Sequence, residues 1–144
     1  MSTHAEPELQ LQVPAVEEYL ALRVAAGLSA MSAGGAREGL ASSWCAVCVR
    51  IDGELIGMGR VVGDGGLFLF VVDIAVTPAW QRRGLGRRIM QALMEQVHAR
   101  ACSYTQVGLI ADGPAHLLYE QFGFRSVAPE SQGMSLRIEK GEHA

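Results

Sequence analysis

Val71-Val72-Asp73-Ile74-Ala75-Val76-Thr77-Pro78-Ala79-Trp80-Gln81-Arg82-Arg83-Gly84-Leu85-Gly86-Arg87-Arg88 is the stretch on which the reading of this chain turns. It opens as an apolar run broken by one charge, Asp73. Such a run suits a central strand covered on both faces. Thr77-Pro78 ends it, and a loop leads to Gly84-Leu85-Gly86. Leu85, Ile89, Met90, Leu93, Met94 and Val97 then recur at helical spacing, which predicts an amphipathic helix over 84–99. A helix N-terminus presents orphan N–H groups and the positive end of the helix dipole, so it suits an anion. Glycines there let a ligand approach the backbone. Arg82, Arg83, Arg87 and Arg88 add charge, and no Asp or Glu occurs from Ile74 to Met94. The chain as a whole carries −3, from 12 basic and 15 acidic residues. The cationic window is therefore local, and a phosphate-bearing ligand is the natural inference. The spacing is not G-x-G-x-x-G, and no Lys-Ser/Thr follows the loop, so dinucleotide and P-loop sites are poor matches. The plain alternative is a glycine-started helix with a solvated Arg face, or a small nucleic-acid patch.

Working outward, Glu8–Val13 reads as a short strand, with a helix from Pro14 to about Ala26 stopped by Gly27. A second helix is expected over Ala36–Ser42, after Gly34-Gly35. Trp44–Ile51 and Glu54–Val62 read as strands joined by Asp52-Gly53, a hairpin turn signal. Gly63-Asp64-Gly65-Gly66 turns the chain into the strand Leu67–Val76. Beyond the 84–99 helix come a strand at Tyr104–Ile110, a helix from Gly113-Pro114 to Phe122 ended by Gly123, and final strands at Phe124–Val127 and Met134–Ile138. One β-α-β crossover within a hairpin-rich sheet is an α/β fold with a mixed sheet.

At 144 residues a single domain over 1–144 is expected. Hydrophobic residues at 49% and charged residues at 19% place the chain among globular proteins. A net charge of −3 gives no bulk field for nucleic acid or an anionic membrane. The longest apolar run, Leu67–Val72, is far below the ~20 residues of a membrane span. The start shows no basic and apolar signal pattern, so a cytoplasmic location is expected. Cys45, Cys48 and Cys102 complete no zinc pattern, so no metal is expected. Strand alternation puts Cys45 and Cys48 on opposite faces.

Gln81-x-x-Gly84-x-Gly86, after a strand ending Ile74-Ala75-Val76, resembles the acetyl-coenzyme A motif of the GNAT superfamily of N-acetyltransferases. A second stretch, Asp112-x-x-Ala115-x-x-Leu118-Tyr119-Glu120-x-x-Gly123-Phe124, resembles that family's next motif at the right distance. With the element order, the resemblance covers residues 8–138. It implies a mixed, mostly antiparallel sheet of six to seven strands with about four helices and splayed central parallel strands. It implies acetyl-coenzyme A as cosubstrate, with Ile74, Ala75 and Val76 along the pantetheine arm. Gln81, Arg82, Arg83, Gly84, Leu85, Gly86, Arg87 and Arg88 would hold the pyrophosphate. Asp112 stands where the family usually has Asn; it keeps an acceptor and loses an amide donor.

The implied reaction is direct transfer of acetyl from the thioester to a primary amine of a small molecule, peptide or protein. A lysine-like amine must lose a proton at a cost of roughly 4–5 kcal/mol at pH 7. The departing thiolate must gain one, and by resemblance Tyr119 is the general acid as well as a coenzyme contact. The family's usual base positions correspond to Phe70 and Val72, both apolar. Asp73 and Asp64 are the candidate bases; the alternative roles are a buried acceptor and turn chemistry. His116, three residues before Tyr119, can share its face. Leu20, Met31, Trp44, Ser131 and Met134 lie in segments that wall the acceptor site in the family, with Glu17, Glu18 and Glu38 the carboxylates of the first helices. An apolar acceptor fits that composition. Arg60-x-x-x-Asp64, Asp73, Asp112 and Gly133-Met134 resemble the plastid serotonin-type, arylalkylamine branch. A non-catalytic acetyl-coenzyme A-binding regulatory module is the alternative. The resemblance also allows a homodimer, often formed through terminal strands.

Overall fold

The computed structural model describes residues 5–141. Residues 1–4 and 142–144, the ends of the expected single domain, lie outside the described part. Five strands form one sheet in chain order: β1 (Glu8–Gln10), β2 (Cys45–Ile51), β3 (Glu54–Gly63), β4 (Phe68–Val76) and β5 (Gln106–Gly108). Neighbours from β1 to β4 are antiparallel, and β5 runs parallel to β4. Four helices accompany them: α1 (Val16–Ala25), α2 (Ala33–Ala41), α3 (Leu85–Arg100) and α4 (His116–Glu120).

The sheet separates two apolar layers. Leu85, Ile89, Met90, Leu93, Met94 and Val97 of α3 are all buried, as their spacing predicts. They pack on Val47, Val49, Ile56, Val61, Leu69 and Val71. On the other face Tyr19 and Leu22 of α1 and Ala36 and Leu40 of α2 cover Cys48, Leu55, Met58 and Ala75. Cys45 and Cys48 do lie against opposite layers. The Cys48 thiol is fully buried, which pushes its pKa up to about 11. Such a thiol is chemically quiet at neutral pH. No helix among the described residues is long and apolar enough to cross a membrane.

Local signals account for most element ends. Asp52 and Gly53 both have positive φ, +50° and +82°, as a hairpin turn of the primed type needs. Pro14 precedes α1 rather than opening it. The carboxylate of Glu18 accepts from the Ala15 N–H at 2.8 Å and closes the first turn. α2 starts earlier than expected because Ser32 caps it, its hydroxyl accepting from Gly35 N–H at 2.9 Å. A Cβ on Gly35 would sit 3.0 Å from that hydroxyl, so the glycine pair serves the cap.

The sheet is smaller than expected. Phe124–Val127 and Met134–Ile138 form no strands, and β5 spans only Gln106–Gly108 of the expected Tyr104–Ile110. A strand is stable when its backbone pairs and one face is covered. Met134, Leu136 and Ile138 are 89, 85 and 66% exposed, so nothing among the described residues covers that face. The count is five strands among the described residues, not six to seven.

Candidate active site

The loop after β4 is tied back to its strand. The Gln81 side-chain amide donates to the Val76 carbonyl at 2.9 Å. Arg82 and Gly84 then adopt positive φ, +62° and +82°, and turn the chain into α3. Gly84 is the N-cap, and no side chain caps this helix. The N–H groups of Leu85, Gly86 and Arg87 therefore point out of the first turn without an intrahelical partner. Arg83 stacks on Trp80 at 4.7 Å and Arg87 on Phe122 at 5.7 Å, which sets two guanidiniums beside that turn. A Cβ on Gly86 would meet only Leu118, at an ordinary 3.7 Å. Packing leaves room there for a methyl group.

β4 and β5 pair only from Phe68 to Phe70, opposite Gln106 to Gly108. Beyond that they part, and a cavity of about 270 Å³ opens between them. Val72, Asp73 and Ile74 line it from β4; Leu109, Asp112 and Tyr119 line it from beyond β5. A larger recess of about 400 Å³ lies at the end of α4, beside Phe124 and Arg125, and holds none of the expected site residues.

Tyr119 is half-buried, its ring edge-on to Phe124 with centroids 6.4 Å apart. Burial, and next the charge of Asp112, raise its phenol above the ordinary tyrosine value. The hydroxyl is thus held protonated throughout the neutral range. Asp112 is exposed, and its side chain caps nothing. His116 donates through Nδ1 to the Gly113 carbonyl at 3.0 Å, which ties the ring to its own turn.

The two candidate bases stand in different places. Asp64 is not among the cavity's lining residues. One of its oxygens accepts from the N–H groups of Gly66, Leu67 and Phe68 at 2.8–3.0 Å, and these bonds lower its pKa. That is the turn chemistry of an Asp before glycines. Asp73 does line the cavity, with its side chain only 4% exposed. Its oxygens accept from Arg23, from Arg60 Nε at 2.8 Å and from the Tyr19 hydroxyl at 3.0 and 3.1 Å. Both oxygens of Asp73 are already taken by donors, while Asp64 spends one oxygen on its own turn and stands outside the cavity lining. Asp73 also has φ +61° in the middle of a strand, a conformation that costs a non-glycine residue roughly 1–2 kcal/mol. Tyr19 and Arg23 lie 54 and 50 residues before Asp73. The only trace of them in the sequence is a charge on the apolar face of α1.

The layout is an α/β domain with parallel strands that splay beside an uncapped and arginine-flanked helix start. Residues 43–126 match the acetyltransferase (GNAT) domain family, and the chain belongs to it. A probable acetyltransferase of unknown function from meticillin-resistant Staphylococcus aureus is 38% identical, with a TM-score of 0.89 over 92% of this chain and all of that one. A GNAT-family acetyltransferase from Streptococcus pneumoniae is 24% identical, with a TM-score of 0.74 over 94% of this chain and all of that one. The ribosomal-protein-S18-alanine N-acetyltransferase of Escherichia coli is 18% identical, with a TM-score of 0.71 over 85% of this chain and 80% of that one. The last two show likeness of fold alone. Enzymes of this family use acetyl-coenzyme A as cosubstrate, so the chain is an acyltransferase of the GNAT type.

Proposed function

We propose that residues 1–144 form one acetyltransferase domain that moves acetyl from acetyl-coenzyme A directly to a primary amine. The observation that carries this is the meeting of three features: the uncapped α3 start, the split between β4 and β5, and Tyr119 facing that split. In this reading the N–H groups of Leu85, Gly86 and Arg87 hold the pyrophosphate, with Arg82, Arg83, Arg87 and Arg88 around it. Gln81 fixes the loop, while Ile74, Ala75 and Val76 border the arm that runs toward the cavity. Asp112 borders the arm from the opposite side.

Tyr119 is the general acid that protonates the departing thiolate. An ordinary phenol, pKa ~10, donates uphill by about 2 kcal/mol to a thiolate whose conjugate acid has pKa ~8.5. The raised Tyr119 steepens that, so donation has to be coupled to loss of the proton from the newly formed amide. No side chain is assigned to the amine's first proton, since Asp64 and Asp73 are engaged elsewhere. The cavity wall combines apolar Leu28, Val72 and Ile110 with polar Arg23, Asp73 and Asp112. Asp73 is already paired with Arg23 and Arg60, so the apolar part of the wall supports a hydrophobic amine, such as an arylalkylamine, over a polyamine. The alternating, exposed Met134, Leu136 and Ile138 support a homodimer in which a second copy covers them.

The test is thioester consumption with a panel of tryptamines, polyamines, amino acids and peptides. Turnover with any amine excludes a purely binding module. Turnover of polyamines alone overturns the hydrophobic acceptor. A monomeric sedimentation profile at micromolar concentration overturns the dimer.

A further inference from the structure

Antiparallel pairing between β3 and β4 slips at one place. Arg60 faces Val72, but Met58 faces Ala75. β4 therefore carries one extra residue, and Asp73 and Ile74 lie opposite Gly59 without ladder partners. This is a bulge whose left-handed residue is Asp73, where such bulges usually place glycine. The bulge inverts the faces of the strand. Val71 and Ile74 both pack with the α3 layer, while Ala75 packs with α1 and α2. On the α3 side Gly59 makes room, since a Cβ there would lie 2.6 Å from Ile89 and 2.7 Å from Ile74. On the α1 side Asp73 is held by three donors from two elements, Tyr19 and Arg23 of α1 and Arg60 of β3.

Those donors have further attachments. Arg60 donates to the Gly39 carbonyl at 3.1 Å and the Ser43 hydroxyl at 2.8 Å. Arg23 donates through Nε to the Ser29 carbonyl at 2.9 Å and through Nη2 to the Ser29 hydroxyl at 3.1 Å. Arg23 thus joins the loop between α1 and α2 to the strand that borders the cavity. A left-handed non-glycine residue persists where its surroundings over-determine it. Asp73 makes no hydrogen bond to its own neighbours that would favour this conformation; its partners are all distant in sequence.

We propose that Arg23, Arg60 and Tyr19 form a clamp on Asp73 that holds the β4 bulge, and that the clamp sets the α1–α2 loop against β4 at the distance acetyl transfer needs. Asp73 and Arg23 are positioning residues in this view, and neither exchanges a proton with the acceptor. The proposal rests on the transfer cavity described above.

Full-length wild type, Asp73→Asn, Arg23→Gln, Arg23→Lys and the Asp73→Asn/Arg23→Gln double variant are compared. Coenzyme A affinity is measured by calorimetry, and kcat and KM with the best amine of the panel. The pyrophosphate loop is untouched, so coenzyme A affinity stays within about threefold, while kcat falls about tenfold or more in the Asn and Gln variants. Because the residues act as one unit, the double variant is no more than about threefold below the worse single variant. Arg23→Lys, which keeps the charge, recovers part of the loss. An Arg23→Gln kcat within about twofold of wild type, or fully additive losses, overturns the clamp. If the Asn and Gln variants fail to fold, Asp73→Gly replaces them, since glycine takes the left-handed turn unaided. Wild-type kcat in that variant overturns the proposal, and a loss of about tenfold supports it. If wild type binds coenzyme A yet consumes no thioester with any amine, the transfer reading fails and the clamp is judged on binding. Selective weakening of acetyl-coenzyme A over coenzyme A by about fivefold in Asp73→Asn and Arg23→Gln then supports it. Equal weakening, or none, overturns it.

Discussion

Tyr119 and Gly86 are the single residues at which the proposed site is most directly tested. Removing the Tyr119 hydroxyl leaves an aromatic ring that still packs against Phe124. Tyr119→Phe should therefore lower kcat by about 10²-fold or more with little change in KM for acetyl-coenzyme A. Unchanged turnover in steady-state assays would remove Tyr119 from the mechanism. Because the folded phenol titrates above its ordinary range, activity lost to Tyr119 ionisation falls above pH ~10. An alkaline limb that starts near pH 8 and survives in Tyr119→Phe belongs to another group. Gly86→Ala separates binding from folding. The methyl fits the protein, so the melting temperature should hold, while coenzyme A binding weakens by about tenfold in calorimetry. Tyr119 and the glycines were legible in the sequence because each sits in a short motif with fixed spacing. Asp73 was legible only as an anomaly, a charge in an apolar strand.

Among the elements, α3 and its strands were readable from periodicity, and the six large apolar residues that carry the helical period are all buried. The bulge in β4 was not readable. Alternation assigns Val72 and Asp73 to opposite faces, but one extra residue inverts the pattern, and only pairing with β3 reveals it. Gly59→Ala tests that account. A methyl 2.6 Å from Ile89 overpacks the layer beneath the bulge and should cost about 1–3 kcal/mol in denaturant unfolding. A near-neutral result would show that α3 can move aside. α1 offers a pH test. Arg50 donates to both carboxylate oxygens of Glu18 at 2.7 and 2.8 Å and lowers its pKa. A depressed folded pKa contributes stability above the ordinary carboxylate range and loses it as pH falls through the lowered value. The pair is partly exposed, so Glu18→Gln should cost only about 0.5 kcal/mol at pH 7. That gap in melting curves should close below pH ~4. A constant gap down to pH 3 would mean that the ion pair contributes nothing.

The whole molecule has a net charge of −3, spread unevenly. Four arginines crowd the start of α3, and in the proposed function that concentration serves one small polyanion rather than a large one. Saturating coenzyme A, at about 100 times its Kd, should raise stability by about 2.7 kcal/mol in thermal unfolding. Coenzyme A should also displace any polyanion bound at the same arginines. Failure of both would detach the arginine cluster from the coenzyme. The segments 124–127 and 134–138, which form no strands, depend on the whole molecule as well. Their alternating apolar residues were plain in the sequence, but alternation says only that one face wants cover, not what supplies it.

The amino-acid sequence by itself determined the element order as far as α4, the amphipathic α3, the glycine–arginine loop and the motif tyrosine. Each depends on residues within a few positions of one another, where spacing and local backbone preference act directly. The tertiary structure alone decided the number of strands, the bulge at Asp73 and the partners of Asp64 and Asp73. Those depend on what lies across the sheet, and a carboxylate's chemistry is set by the donors that surround it. Arg23 reaches Asp73 across 50 positions of chain, and only folding brings the two together.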